Sequence, residues 1–184
     1  MNIIAVGPPG VGKSTYAQLI SKHFNIPIVS VGKMMRAESK KPTKQGRLVK
    51  KYVECGDLVP DEIVDKVINH KIAKLKKGFI TDGYPRELGQ AKLLDSKVDI
   101  DVVIFYKAHK KILLERIKNR HKGRVDDLPK IVKERFKVYK EITTPVIKYY
   151  KRKKILFEID ASYDYKQINK IIKPSIKAIS SAMK

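Results

Sequence analysis

Five short apolar runs punctuate the chain, at residues 2–6, 27–29, 78–81, 102–106 and 155–159. Each is rich in β-branched side chains and bounded by polar or turn residues, the pattern of a buried strand. Between and after these runs, apolar positions recur every three or four residues. Residues 15–24 bring Tyr16, Ala17, Ile20 and Phe24 to one face. Residues 61–75 open behind Pro60 with Asp61, Glu62 and Asp65 in the first turns, a good helix start. Residues 110–120 align Ile112, Leu113 and Ile117. Residues 127–149 predict a long helix kinked at Thr144-Pro145, and 164–183 a closing helix broken or bent at Pro174. Strands alternating with helices predict an α/β domain, a five-stranded parallel sheet covered on both faces, with ligands at the carboxyl ends of the strands. Residues 32–60 lack a strong apolar period and read as an insertion between the second strand and the helix from Asp61. There is no repeat and no linker, so 1–184 reads as one domain.

The first strand runs directly into Gly7-Pro8-Pro9-Gly10-Val11-Gly12-Lys13-Ser14, and a helix follows. Strand, glycine-rich loop and helix in that order make a P-loop. Its backbone N–H groups wrap a phosphate and the new helix adds its positive end. Lys13 supplies a charge for the outer phosphates and Ser14 a hydroxyl for Mg²⁺. The layered sheet is thereby a three-layer P-loop NTPase fold. The stretch from Gly78 to Arg86 ends a second apolar strand on Asp82, followed by Gly83-Tyr84-Pro85-Arg86. A carboxylate at the end of a strand beside the P-loop suits a Mg²⁺ ion, directly or through water. Arg116, Arg120, Arg124 and Arg135, with Asp126 and Asp127 beside them, form a third group. Such a cluster suits the charge that develops on a transferring phosphoryl group.

These motifs, in this order and spacing, resemble the adenylate kinase family and, more broadly, nucleoside monophosphate kinases. The resemblance rests on Gly7–Ser14, Ser30–Arg36, Asp57–Asp61, Asp82 to Arg86 with Gln90, and Arg120 through Arg135, and runs from Met1 to about Tyr150. It implies MgATP and AMP as substrates and two ADP as products. ATP would be held by Gly10, Val11, Gly12, Lys13, Ser14, Thr15, Arg116 and Arg120. AMP would be held by Arg36, Leu58, Val59, Gly83, Arg86, Gln90, Arg124 and Arg135, with Gln90 reading the base. Lys13, Arg86, Arg120, Arg124 and Arg135 would be catalytic, and Ser14 and Asp82 would hold the metal. Residues 31–60 become a flap over the monophosphate, and 116–125 a short lid with no structural zinc. Gly32, Gly46, Gly56 and Gly123 are hinge or turn candidates, with Gly46 read as a turn. Two positions depart from the family pattern: Val31 replaces a threonine and Lys33 an aspartate. Val31 keeps a UMP/CMP kinase open as a rival.

Composition adds one unusual feature. Forty-one basic against nineteen acidic residues give a formal charge of +22. Polyanions are natural partners of such a surface, so RNA binding, including a nucleotide-dependent RNA-associated switch, stands as a secondary reading. Lys71, Lys74, Lys76 and Lys77, and Lys166, Lys170, Lys173 and Lys177, have the spacing of solvated helix faces. The single cysteine, Cys55, excludes an intrachain disulfide and a cysteine zinc cluster. With no membrane-length apolar run and no leader pattern before the first strand, the expectation is a cytoplasmic protein, and the family resemblance implies a monomer.

Overall fold

The computed structural model describes residues 1–119 and 125–182. Strands β1 (Asn2–Val6), β2 (Ile28–Ser30), β3 (Phe79–Asp82), β4 (Val102–Lys107) and β5 (Leu156–Asp160) form one sheet in the order β2-β3-β1-β4-β5. Every pairing is parallel. Successive side chains of β1 point to opposite faces, and both faces are dry. Ile3 and Ala5 join a cluster with Tyr16, Ala17, Ile20, Leu113, Ile171 and Ile179. Ile4 and Val6 join another with Val64, Ile68, Ala91, Leu94, Val146 and Tyr150. Apolar residues at every position of the central strand from Ile3 to Val6 thus force helices onto both faces, which makes the three layers.

The helices are α1 (Lys13–Phe24), α2 (Val31–Glu38), α3 (Lys44–Cys55), α4 (Asp61–Ile72), α5 (Leu88–Asp95), α6 (Lys110–Lys118), α7 (Pro129–Val138), α8 (Thr144–Arg152) and α9 (Asn169–Ala182). Strands β2, β3 and β5 each begin one residue later than the apolar pattern suggests, and β3 includes Asp82. The largest departure lies in 32–60, where the structure has two helices. Their apolar stripes are narrow: α2 buries Val31 and Met35, and α3 buries Gly46 and Val49. Gly46 is no turn. It sits in the first turn of α3, where Thr43 accepts its N–H at 2.9 Å, and a Cβ there would collide with the backbone carbonyls of Lys41 and Glu38. Helix α5 was not apparent from the sequence pattern either.

The expected long helix over 127–149 is divided. A 3₁₀ turn covers Val125–Asp127, then α7, a π-helical turn at Tyr139–Thr143, and α8. The π turn stands just ahead of Pro145, whose missing N–H and bulky ring disrupt the preceding turn of any regular helix. Helix α9 begins five residues later than expected and continues through Pro174 without ending. The lysines assigned to solvated faces are exposed as expected. Among the described residues, no helix is long and apolar enough to cross a membrane.

Candidate active site

Parallel strands bring their carboxyl ends to one edge, and β1, β2 and β3 each deliver a functional group there. In the ladder Ser30 pairs with Asp82, and Asp82 pairs with Ala5 two residues before the loop. Asp82 is buried, and its Oδ2 accepts from Ser14 Oγ at 2.6 Å and Ser30 Oγ at 2.8 Å. Ser30 carried no role in the sequence; only the strand register reveals it.

The P-loop turns tightly enough to point its amides inward because Gly12 adopts φ +100°. There a Cβ would also stand 2.9 Å from the ring of Tyr16. The carbonyl of Gly12 then accepts from Thr15 and Tyr16, which starts α1 two residues earlier than its apolar face suggests. Lys13 Nζ donates to the carbonyls of Gly7 at 2.7 Å and Pro8 at 2.9 Å. Val11 is fully buried, and its N–H donates to the Pro8 carbonyl within the loop. A cleft of about 240 Å³ opens over the loop, lined by Gly10, Gly12, Lys13, Ser14, Thr15, Ser30, Arg36, Asp82, Gly83, Arg86 and Arg135 among others.

Three arginines meet in this cleft from three elements. Arg135, on α7, lies 3.1 Å from Asp126 Oδ2 and 3.3 Å from Asp127 Oδ1, and it donates to the Asp126 carbonyl at 2.8 Å. Arg36, on α2, reaches the same Asp126 oxygen at 3.6 Å. Asp126 therefore ties α2 to α7. Its buried Oδ1 has no hydrogen-bond partner among the described residues. Arg86 Nε donates to the Gly83 carbonyl at 2.9 Å. Burial lowers the pKa of Arg86 to about 10, and Arg135 and Arg36 push it the same way while Asp82 and Asp126 oppose them. The group stays charged at neutral pH, but in surroundings that a bound anion would relieve.

A second pocket of about 70 Å³ adjoins the cleft. Val31, Met35, Leu58, Val59, Val64, Gly83, Tyr84, Arg86 and Gln90 line it. Gln90 is buried, accepting from the Arg86 N–H at 2.9 Å and donating to Asp61 and Glu87. Asp61 and Glu87 were not singled out from the sequence as supports for Gln90. Val31 presents a buried methyl surface to this pocket, whereas Lys33 is exposed.

Arg116 stands elsewhere. Its guanidinium donates to the carbonyls of Val11 at 3.1 Å and Tyr163 at 2.6 Å, bracing the P-loop from α6. Arg120, Arg124 and Gly123 lie outside the described residues. Among the described residues no cluster of three or more His, Cys, Asp or Glu side chains is arranged to hold a metal ion. The oxygen corner of Ser14, Ser30 and Asp82 is instead suited to a hard ion that keeps much of its water and is shared with a phosphate.

Comparison with known proteins adds to this geometry. The family model described as adenylate kinase matches residues 5–155. An adenylate kinase of Bifidobacterium longum is 35% identical over 178 residues, covering 92% of this chain and 96% of the relative. An adenylate kinase of Archaeoglobus fulgidus is 34% identical over 98% of this chain and 100% of the relative. One of Encephalitozoon cuniculi is 41% identical over 82% of this chain and 83% of the relative.

Proposed function

The chain belongs to the adenylate kinase family and is an ATP:AMP phosphotransferase, and we propose that its strand-edge cleft divides between a donor half on the P-loop and an acceptor half under α2 and α3. The observation that carries this division is the convergence of Lys13, Arg36, Arg86 and Arg135 on one cleft beside Ser14 and Asp82. Four cationic side chains on one concave wall suit a triphosphate and a monophosphate placed end to end.

In the donor half, the P-loop amides from Gly10 to Thr15 cradle the ATP phosphates, and Lys13 follows the outer ones. Arg116 sets the shape of the loop through Val11 and reaches the neighbourhood of the ATP base. The family uses Mg²⁺ with ATP; here Ser14 and Asp82 would hold the ion, which supplies charge neutralisation at the phosphates. In the acceptor half, Arg36 and Arg86 grip the AMP phosphate. Leu58, Val59 and Gly83 line the base pocket, and Gln90 reads the base. Arg135, with Arg120 and Arg124, stabilises charge on the group in flight.

The attacking atom is an AMP phosphate oxygen, already anionic at neutral pH, so no general base is required. The chain's residues act by placing the two phosphates in line and by stabilising the moving charge. His23, His70 and His109 line neither the cleft nor the base pocket, in keeping with this division of work.

Access to the acceptor half needs motion. A pocket of about 70 Å³ is smaller than the roughly 300–1,000 Å³ of ordinary small-molecule sites. We therefore read 31–60 as a flap that swings outward to admit AMP and 116–125 as the lid that meets it. Gly56 caps α3 at φ +83°, a conformation that suits a hinge. Closure excludes water, which would otherwise take the phosphoryl group.

The acceptor's identity rests on Gln90. With MgATP saturating, AMP is expected to be the best acceptor, with kcat/KM for UMP and CMP lower by about 10²-fold or more, because a pocket built to hydrogen-bond one base leaves polar groups unpaired with another. Diphosphate formation measured with AMP, UMP and CMP in turn checks this. Faster transfer to UMP or CMP would overturn the adenine assignment.

A further inference from the structure

Gln90 reads the base only if its carboxamide is held in one orientation, and the structure shows what holds it. The oxygen accepts from the Arg86 N–H at 2.9 Å. The nitrogen donates to Asp61 Oδ1 and, at a longer 3.4 Å, to Glu87 Oε1. The reverse orientation would set the amide oxygen against carboxylate oxygens and its NH₂ group against a backbone N–H, so these contacts fix which end is which. Both amide hydrogens are then spent on protein, and Gln90 meets a ligand through the remaining lone pair of its oxygen. That oxygen suits an exocyclic amino group such as that of adenine and disfavours a carbonyl at the same place.

The two carboxyl groups behind Gln90 come from different elements, Asp61 from the start of α4 and Glu87 from the residue before α5. Converging on the one amide nitrogen of Gln90, they stand close to each other. Two carboxylates at that separation cannot share one amide without strong repulsion unless a proton sits between them. Resting on the acceptor-site reading above, we propose that Glu87 is a positioning residue for base recognition, donating a carboxyl hydrogen bond to Asp61 so that the pair holds Gln90 with its oxygen toward the acceptor nucleotide.

The surroundings favour the protonated pair. Asp65, on α4, adds a third carboxyl group and accepts from Tyr84 at 2.8 Å. Lys97 acts on Asp65, while Arg86 is committed to Gly83 and the phosphate cleft. Burial and the neighbouring Asp61 and Asp65 push the Glu87 carboxyl up to about 7. As pH rises through that value, Glu87 loses the proton it donates, the two carboxylates separate, and Gln90 loses its common anchor. AMP binding weakens, while the ATP site and the phosphate arginines are untouched.

Glu87→Gln supplies a permanent donor to Asp61 without a charge. The test compares KM for AMP in wild type and Glu87→Gln from pH 6 to pH 8.5. The AMP phosphate itself titrates near about 6, so the ratio between the two proteins is the readout. We expect that ratio to stay near one at low pH and to rise about three- to tenfold at high pH, the effect of one weakened hydrogen bond to a charged group, with kcat and KM for ATP unchanged. A ratio that stays flat, or a pH effect confined to kcat, overturns the proposal. A ¹³C titration of the Glu87 carboxyl without nucleotide reads the pair independently of turnover. Titration near neutrality supports the shared proton, and titration in the ordinary glutamate range overturns it. Absence of AMP turnover by wild type would instead overturn the functional reading, which the carboxyl titration does not depend on.

Discussion

Replacing Arg86 with alanine is expected to lower kcat/KM for AMP by about 10³-fold while leaving the fold intact. Arg86 lines both the phosphate cleft and the base pocket, so it stands where the acceptor phosphate must sit. Its Nε is already used by Gly83, which aims the remaining guanidinium N–H groups into the cleft. A charge-assisted hydrogen bond contributes about 1.5–3 kcal/mol, and two of them lost together correspond to roughly 10²- to 10⁴-fold. Arg86→Lys restores the charge but not the planar fork, and is expected to recover tenfold or less. Stability should move little. In the free protein, burial and the neighbouring Arg36 and Arg135 oppose the charge of Arg86, and its removal relieves that opposition. Steady-state kinetics with a thermal melt of the same variant checks both halves. A large fall in melting temperature with AMP turnover retained would place Arg86 in the scaffold rather than in the site.

Lys13→Ala is expected to reduce kcat by about 10³-fold with a much smaller change in KM for AMP. Lys13 is held over the P-loop by the carbonyls of Gly7 and Pro8, within the cleft that Arg86 and Arg135 share. Its ammonium group has the reach to leave those carbonyls and follow a phosphoryl group as negative charge redistributes. Loss of one such preorganised donor costs about 10²- to 10³-fold in comparable transfers, and loss of a full transition-state cation costs 10³- to 10⁵-fold. The contrast with Arg86 is informative. Arg86 belongs to acceptor binding and transfer together, whereas Lys13 belongs to the donor and the moving charge. A Lys13→Ala enzyme whose kcat is unchanged at saturating MgATP would remove Lys13 from the chemistry.

The parts of this molecule that depend on neighbouring residues in sequence could be read from the sequence. The strand period, the P-loop and Asp82 at the end of an apolar run are all local patterns, and the all-parallel sheet follows from strand–helix alternation. Helices α2 and α3 were missed although both are amphipathic, because Gly32 and Gly46 inside them read as breaks: glycine is among the poorest helix formers. Gly46 misled for a related reason. Its lack of a side chain serves close approach to the carbonyls of Lys41 and Glu38 rather than a turn.

The site divides in the same way. Lys13, Ser14, Arg86 and Gln90 announce themselves by motif. Ser30 reaches Asp82 only through strand register, and Asp61 reaches Gln90 only because the fold brings the first residue of α4 to the first turn of α5. Arg116 shows both. Its spacing placed it with the arginine series, and its bonds to Val11 and Tyr163 add a brace for the loop that spacing did not announce. The lysines of the two clusters are exposed: Lys71, Lys170, Lys173 and Lys177 on helices α4 and α9, Lys166 in a 3₁₀ turn, and Lys74, Lys76 and Lys77 in the turn beyond α4.

The central claim is that one cleft binds two nucleotides and passes a phosphoryl group directly between them. The most direct measurement is ³¹P NMR of the protein with equal MgATP and AMP. The account predicts that ATP and AMP resonances fall together, that ADP rises by two for each pair consumed, and that inorganic phosphate does not appear. Inorganic phosphate released as ATP falls, with AMP unchanged, would contradict it.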